Sequence, residues 1–272
     1  MKHALAALLL AASPVVADAN PVTIAPHRAV YDISLDKAAA ESRLVGAEGK
    51  WVVEVKGGAC TGYTVEYRFV TRLSYDGGQS DLLDTRGSSF EAGDGTAFDF
   101  SNKTFHNDKV IEDIKGIASR KTDGLDVKLQ RPEDAELSLT GAALFPSQHF
   151  RKIISDARSD RRFVENIVYE GVEGAKEPFA VSAVIGLERG DQSVAGESES
   201  AISALTGKGL KRWPVSLSYF KLDAQDDAVP EWQNSFTLFE NGIGHDFTFD
   251  YGEFALKANL EQLDLLQPED CS

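Results

Sequence analysis

The sequence predicts a mostly β protein built on one large antiparallel sheet that curls on itself. Three observations carry this expectation. Apolar and polar residues alternate with period two in segment after segment. Tight-turn sequences punctuate those segments. Only two stretches carry helical spacing.

Tyr31, Ile33 and Leu35 share one face of a first strand, with Asp32, Ser34 and Asp36 on the other. Trp51, Val53 and Val55 alternate with Val52, Glu54 and Lys56. The longest run sets Tyr63, Val65, Tyr67, Phe69, Leu73 and Tyr75 against Thr64, Glu66, Arg68, Arg72 and Ser74. Phe179, Val181, Ala183, Ile185 and Leu187 repeat the pattern, as do Val215, Leu217 and Tyr219. Phe247, Phe249 and Tyr251 follow. After Gly252 the phase flips to Phe254, Leu256 and Leu260, which predicts a bulge or sharp bend. Asp76-Gly77-Gly78, Gly93-Asp94-Gly95, Asp123-Gly124 and Asn241-Gly242 supply the turns. Between strands, Phe150, Ile153, Ile154 and Ala157 fall at i, i+3, i+4 and i+7. They predict an amphipathic helix over 147–158, with Pro146 before it and Ser147 as its N-cap. That stripe is expected to rest on the concave face of the sheet. A weaker helix is predicted over 199–206, stopped by Gly207.

Residues 1–19 have the form of an export signal. Lys2 gives a positive start, residues 4–12 an apolar run too short to span a bilayer, and Ala17-Asp18-Ala19 a cleavage site. Val15-Val16-Ala17 is a second possible site. No later run reaches the roughly 18 apolar residues that a membrane helix needs. Without a linker or repeat, residues 20–272 read as a single domain. A periplasmic location fits best, with secretion as the alternative. The net charge of −15 argues against nucleic acid or anionic membrane as unaided partners. The hydrophobic content of 42% is enough for a true core.

The two cysteines, Cys60 and Cys271, lie near opposite ends of the exported part. In an oxidising compartment an even pair reads as a disulfide tying the third predicted strand to the tail. Two unpaired thiols are the alternative.

Sequence gives little sign of catalysis, cofactor or metal. His27, His106, His149 and His245 show no metal-ligand spacing, and there is no C-x-x-C or G-x-S-x-G. They are expected to be surface or satisfied histidines. Glu91, Asp94 and Asp99 form one acidic cluster and Asp223, Asp226 and Asp227 another, both expected to be solvated loops. What remains is aromatic: 15 Phe, seven Tyr and three Trp, either plain core or the lining of a cavity for an acyl chain or extended peptide.

Several ordered segments resemble the EipB family of cell-envelope integrity proteins of alphaproteobacteria. They are HRAVYDISL (27–35), GACTGYTVEYRFVT (58–71), DTRGSSFEAGDGTAFDF (84–100), LFPSQHFR (144–151), WPVSLSYF (213–220) and SFTLFENGIGHDFTFDYGEFAL (235–256), closed by Cys271. The resemblance implies a periplasmic protein folded as a many-stranded β-spiral, an open curled barrel similar to lipoprotein carriers, with one main helix against its inner side. It implies a disulfide between Cys60 and Cys271, a part in envelope maintenance and a link to periplasmic tetratricopeptide-repeat proteins. It supplies no catalytic residue, so a non-enzymatic role is expected. Three roles compete: a binder of an apolar ligand, lipid or lipoprotein segment; a surface scaffold for envelope proteins; and, behind both, a glycan or lipid hydrolase.

Overall fold

The computed structural model describes residues 21–189, 201, 203, 205, 209–225 and 227–269. The predicted export signal and Cys271 lie outside the described residues.

Fourteen strands form one sheet. They are β1 (His27–Ala38), β2 (Leu44–Gly58), β3 (Gly62–Tyr75), β4 (Ser80–Glu91), β5 (Ala97–His106), β6 (Lys109–Lys121) and β7 (Gly124–Arg131). β8 (Ala135–Thr140), β9 (Phe163–Val168), β10 (Phe179–Ile185), β11 (Arg212–Lys221), β12 (Trp232–Phe239), β13 (Gly244–Asp250) and β14 (Phe254–Leu265) complete it. The spatial order is β8-β7-β6-β5-β4-β3-β2-β1-β14-β13-β12-β11-β10-β9. Neighbours along the chain pair as antiparallel hairpins, and β1 pairs with β14 to join the two runs. β8 and β9 end the order, so the sheet is not closed into a barrel.

The expected alternation sets the inner face. Trp51, Val53 and Val55 of β2 lie opposite Phe69, Tyr67 and Val65 of β3. Opposite those on β4 are Thr85, Gly87 and Ser89. The curl is tight at the β1–β14 seam. Trp51 on β2 and Phe249 on β13 are three strand intervals apart, about 14 Å in a flat sheet. Their ring centroids lie 5.5 Å apart. Tyr31 of β1 stacks on Trp51 at 4.6 Å and meets Phe247 edge-on at 5.4 Å.

The turns follow the sequence where glycine supplies positive φ, as at Gly77, Gly78 and Gly242. The β5–β6 reversal was not anticipated. Asn107 and Asp108 adopt φ of 47° and 64° without a glycine, using the tolerance of these two residue types for left-handed backbone. β10 stops at Ile185, one step before the predicted Leu187, which is 74% exposed. Gly186 N–H donates to Pro214 O, the continuous ladder stops there, and a single bridge between Arg189 and Arg212 follows. Gly252, with φ of 82°, lies in the β13–β14 turn, so the phase flip there marks a reversal. Cys60 lies in the turn between β2 and β3, not inside a strand.

The main helix, α1 (Pro146–Arg158), buries Ile153, Ile154 and Ala157 in the principal core. Phe150 stacks on Phe236 of β12 at 5.9 Å. The N-cap is Phe145, not the expected Ser147. Pro146 takes the first helical position, where its missing N–H costs nothing, and so the cap lies two residues before the expected site. The orphan N–H groups of Ser147 and Gln148 are satisfied from another element: both donate to the Glu91 carboxylate at the end of β4, at 2.7 and 3.0 Å. Of the second predicted helix only Ala201, Ser203 and Leu205 are described. They are helical, and Leu205 is buried beside Phe239 and Ile243. The rest of it lies outside the described residues.

Candidate functional site

The inner face is packed unevenly. Around α1 it is sealed. Phe98, Phe100, Phe145 and Tyr169 form a stacked and edge-on cluster with centroids 5.3 to 6.4 Å apart. Arg120 of β6 locks that cluster to the helix start. It donates to Gly95 O, Ala143 O and Gln148 Oε1 at 2.9, 2.9 and 3.0 Å, and its guanidinium lies over the Phe145 ring. Farther along the strands, inward-facing Trp51, Tyr67, Phe69, Leu83, Trp232 and Phe249 are only partly buried. These side chains mark the part of the inner face that is least covered; we call this region the chamber.

Its polar groups come from four strands and one connection. Asn102 lies on the inner face of β5, opposite Gly87 and Ile114. Tyr67 O–H donates to Asn102 Oδ1 at 3.2 Å. Asn102 Nδ2 donates to Glu112 Oε2 of β6, also at 3.2 Å. The Gly174 backbone hydrogen-bonds to Glu112 from the β9–β10 connection. Glu170 in that connection lies deep in the fold, and part of its surface remains accessible. Burial, and then the nearby Glu91 charge, push its carboxyl up to about 7. Burial pushes Tyr67 up to about 12, with Glu170 and Glu112 adding to it. Tyr219 of β11 is raised well above its ordinary range by burial and by Glu170, against a hydrogen bond with Asn234. Glu170 therefore lies within electrostatic reach of groups on β3, β4 and β11.

Glu91, Glu112 and Glu173 are also raised, burial being the largest cause for each. Glu91 is partly offset by its bonds to the α1 N-terminus and by Arg151. Lys221 offsets Glu173, where Glu231 and Glu112 oppose it. Asn166 on the inner face of β9 has a buried Nδ2 without a hydrogen-bond partner among the described residues, and so does the Thr71 hydroxyl on β3. Such a set can hold a proton near neutrality, donate hydrogen bonds or pair with a cation. Among the described residues no group of three or more His, Cys, Asp or Glu could hold a metal ion.

The comparisons with known proteins fit this architecture. A sequence profile described as EipB-like matches residues 18–267. The chain belongs to the EipB-like family. A curated relative, the cell envelope integrity protein EipB of Brucella abortus (strain 2308), is 34% identical over 247 residues, 91% of this chain and 86% of that one. A crystal structure described as a beta-barrel-like protein of domain of unknown function DUF1849, also from Brucella abortus, superposes with a TM-score of 0.84 at 33% identity. It covers 90% of this chain and 100% of that one.

Within this EipB-like fold the residues singled out from sequence scatter. His27 is buried, its Nδ1 2.7 Å from Ala25 O, and His106 pairs with Asp81 near the surface at 2.9 Å. His149 is buried on α1, and its Nε2 has no hydrogen-bond partner among the described residues, so it is not satisfied as expected. Burial holds it down at about 4, as it does His245. Asp94 and Asp99 are exposed, but Glu91 is 4% exposed and caps the helix, correcting its assignment to a solvated loop. Asp223 and Asp227 are exposed, and Asp226 lies outside the described residues. Sequence reasoning missed Glu112, Asn102 and Glu170. The first two had a signal: each alternates in phase with buried apolar neighbours, Ile114 for Glu112 and Phe98 and Phe100 for Asn102.

Two substitutions test the site's construction. Glu91→Ala should destabilise the fold by about 2 kcal/mol, by stranding two helix N–H groups. Glu91→Gln, which keeps one acceptor oxygen, should cost less. Urea titration of both checks this; equal loss would mean that the cap is immaterial. Gly87 is the close-approach position for Tyr67: a Cβ there would sit 2.1 Å from the Tyr67 ring. Gly87→Ala should displace that ring, break its bond to Asn102 and cost about 1–3 kcal/mol. An unchanged tyrosine near-ultraviolet spectrum would contradict the geometry.

Proposed function

We propose that this chain is an exported, periplasmic, non-enzymatic protein supporting cell-envelope integrity, and that it holds the apolar part of a ligand, lipid or lipoprotein segment in its chamber. The observation that carries the reading is the row of inward-facing aromatics left partly buried on a concave face. Membership of a family whose curated relative is named for envelope integrity supports the cellular role. The test is native mass spectrometry and lipid extraction of protein purified from its own compartment, together with uptake of a fluorescent fatty-acid probe. A copurifying amphiphile or saturable uptake is expected. Empty protein that takes up nothing would end this reading.

We also propose that Cys60 and Cys271 are joined. No cysteine among the described residues is free. Leu265, near the end of β14, is level with His27, which is level with Val55 of β2. β14 and β2 run the same way, so the chain leaves Leu265 heading toward the β2–β3 turn that carries Cys60. The intervening residues reach up to about 20 Å, ample for two strand spacings and the remaining rungs of that hairpin.

A second reading has its own observation. Edge strand β9 and its neighbour β10 expose Phe163 at 61%, Val184 at 54% and Ile167 at 36%, an apolar outer patch beside a sheet edge whose far end alone is covered, by Leu144 pairing at Val168. Such a surface suits docking of an envelope partner, for which a periplasmic tetratricopeptide-repeat protein is the candidate. Crosslinking in cells should recover a defined partner, and Phe163→Glu with Val184→Glu should abolish it. Recovery unchanged by these substitutions would remove this reading.

A further inference from the structure

We infer that the outer face of the sheet carries a second site, separate from the chamber, for a phosphorylated sugar. It is an open depression of about 350 Å³ over β4, β5 and β6, bordered by β3 and by a bulge in β7. That volume lies at the lower end of the range for small-molecule sites, enough for one sugar ring with one charged group.

The strand register explains the depression. Ser88 of β4 pairs with Ser101 of β5, and Ser101 pairs with Lys115 of β6. Two short side chains side by side leave a hollow among longer ones on the same face. Two residues along the strands, the pair Phe90–Asp99 stands at one end and the pair Arg86–Lys103 at the other. Ile117, opposite Asp99, completes the first end. In β7 the register slips: Lys115 pairs with Arg131 but Gly116 with Leu129. Gln130 is the extra residue, and the bulge brings it into the lining.

The two ends differ in chemistry. Phe90 and Ile117, 39% and 38% exposed, form an apolar wall beside the Asp99 carboxylate and the Gln130 amide. A sugar ring matches that end: its C–H surface lies against the wall, and its hydroxyls donate to the carboxylate and exchange hydrogen bonds with the amide. The other end is cationic. Arg68 of β3, Arg86 and Lys103 stand directly opposite one another on three adjacent strands, where like charges repel. Asp84 is shared by Arg68 and Arg86, at 2.8 and 2.7 Å, and Asp113 by Lys103 and Arg131, both at 3.0 Å. Each of these carboxylates thus answers two cations. Lys115, exposed in the lining, has no ion pair with any described residue. Glu66, opposite Ser88 on β3, borders the site as well, and cations still outnumber carboxylates around it. A local surplus of positive charge stands against the chain's net charge of −15. A phosphate group relieves it: its three terminal oxygens match the Ser88 and Ser101 hydroxyls and the Lys115 ammonium, with Arg86 and Lys103 at the rim.

The test is an NMR titration of the full mature protein at low ionic strength with glucose 6-phosphate, glucose, inorganic phosphate and phosphatidylglycerol vesicles. Glucose 6-phosphate should shift the amides of Ser88, Ser101 and Ile117 and bind about tenfold tighter than glucose or phosphate. Salt at about 0.5 M should remove that advantage, because the charges are exposed. Vesicles should leave these amides unmoved, since the net charge opposes an anionic membrane. Lys103→Gln with Lys115→Gln should bring glucose 6-phosphate to the affinity of glucose, and Ile117→Ser should bring it toward that of phosphate, with amide shifts elsewhere unchanged in both. Phosphate binding as tightly as glucose 6-phosphate, vesicles alone shifting these amides, a preference that survives loss of both lysines, or no binding of glucose 6-phosphate would each overturn the inference. None of these outcomes bears on the chamber, whose side chains point to the opposite face of the sheet.

Discussion

Cys60→Ser is expected to lower the melting temperature by about 10 °C under non-reducing conditions. A Cys60–Cys271 bridge would close a loop of about 210 residues. Restricting the unfolded chain over such a loop is worth roughly 5 kcal/mol at most, with native-state strain and residual structure reducing it. For a chain of this size each kcal/mol moves the midpoint by about 2–4 °C. The loss should be concentrated where the bond would act. Residues beyond Leu265 would be free to fray, and β14, which seals β1, would become sensitive to protease at its end. Cys271→Ser should match Cys60→Ser, and the double variant should add nothing further, because each single change already removes the whole link. Unchanged melting of either single variant without reductant would refute the bridge.

Glu170→Gln should do the opposite and stabilise the protein, but only at higher pH. Glu170 titrates at about 7 in the fold against an ordinary 4.5. Because the folded value is raised, the contribution of this group is fully present below about pH 4.5, where it is neutral in both states. It is lost as pH rises through about 7, where the unfolded chain ionises freely and the folded one does so against burial and Glu91. The shift corresponds to about 3 kcal/mol at most. Glutamine carries no such penalty, so Glu170→Gln should melt several degrees above the parent at about pH 8 and together with it at about pH 4.5. Buried His149 and His245 act in the opposite sense in both proteins. Their folded values of about 4 lie below 6.5, so their contribution is present above pH 6.5 and is lost as pH falls toward 4. Comparing parent with variant cancels them. An equal difference at both pH values would mean that Glu170 does not titrate in the chamber.

Strand periodicity made most of the fold legible before any coordinate. The inner row of β3, Tyr63 to Tyr75, is the row read from its alternation, and the stripe of α1 is the one that packs. Local signals failed where long-range contacts decide. Ser147 looks like a cap, but Pro146 occupies the first helical position and a carboxylate 56 residues earlier in sequence supplies the acceptor. Glu91 sits beside a Gly-Asp-Gly turn and so reads as solvated, until the helix start is laid over it. The chamber was half legible. Asn102 and Glu112 interrupt apolar rows in phase, the mark of a polar group pointing inward. Glu170 lies in a connection without periodicity. Gly171, at φ of 68° with the Phe100 ring against it, carries that connection across the interior, and no pattern in sequence announces such a path.

The pairing of β1 with β14 has a consequence for how the molecule is made. β1 to β8 and β9 to β14 are two runs of sequential hairpins, each able to zip up from local contacts. The seam between them sets His27 against Leu265, almost the first described strand residue against the last. Until β14 is in place, the outer margin of β1 therefore waits unmatched, a vulnerable template for stray association. Completion of the molecule is thus timed by the arrival of its final strand.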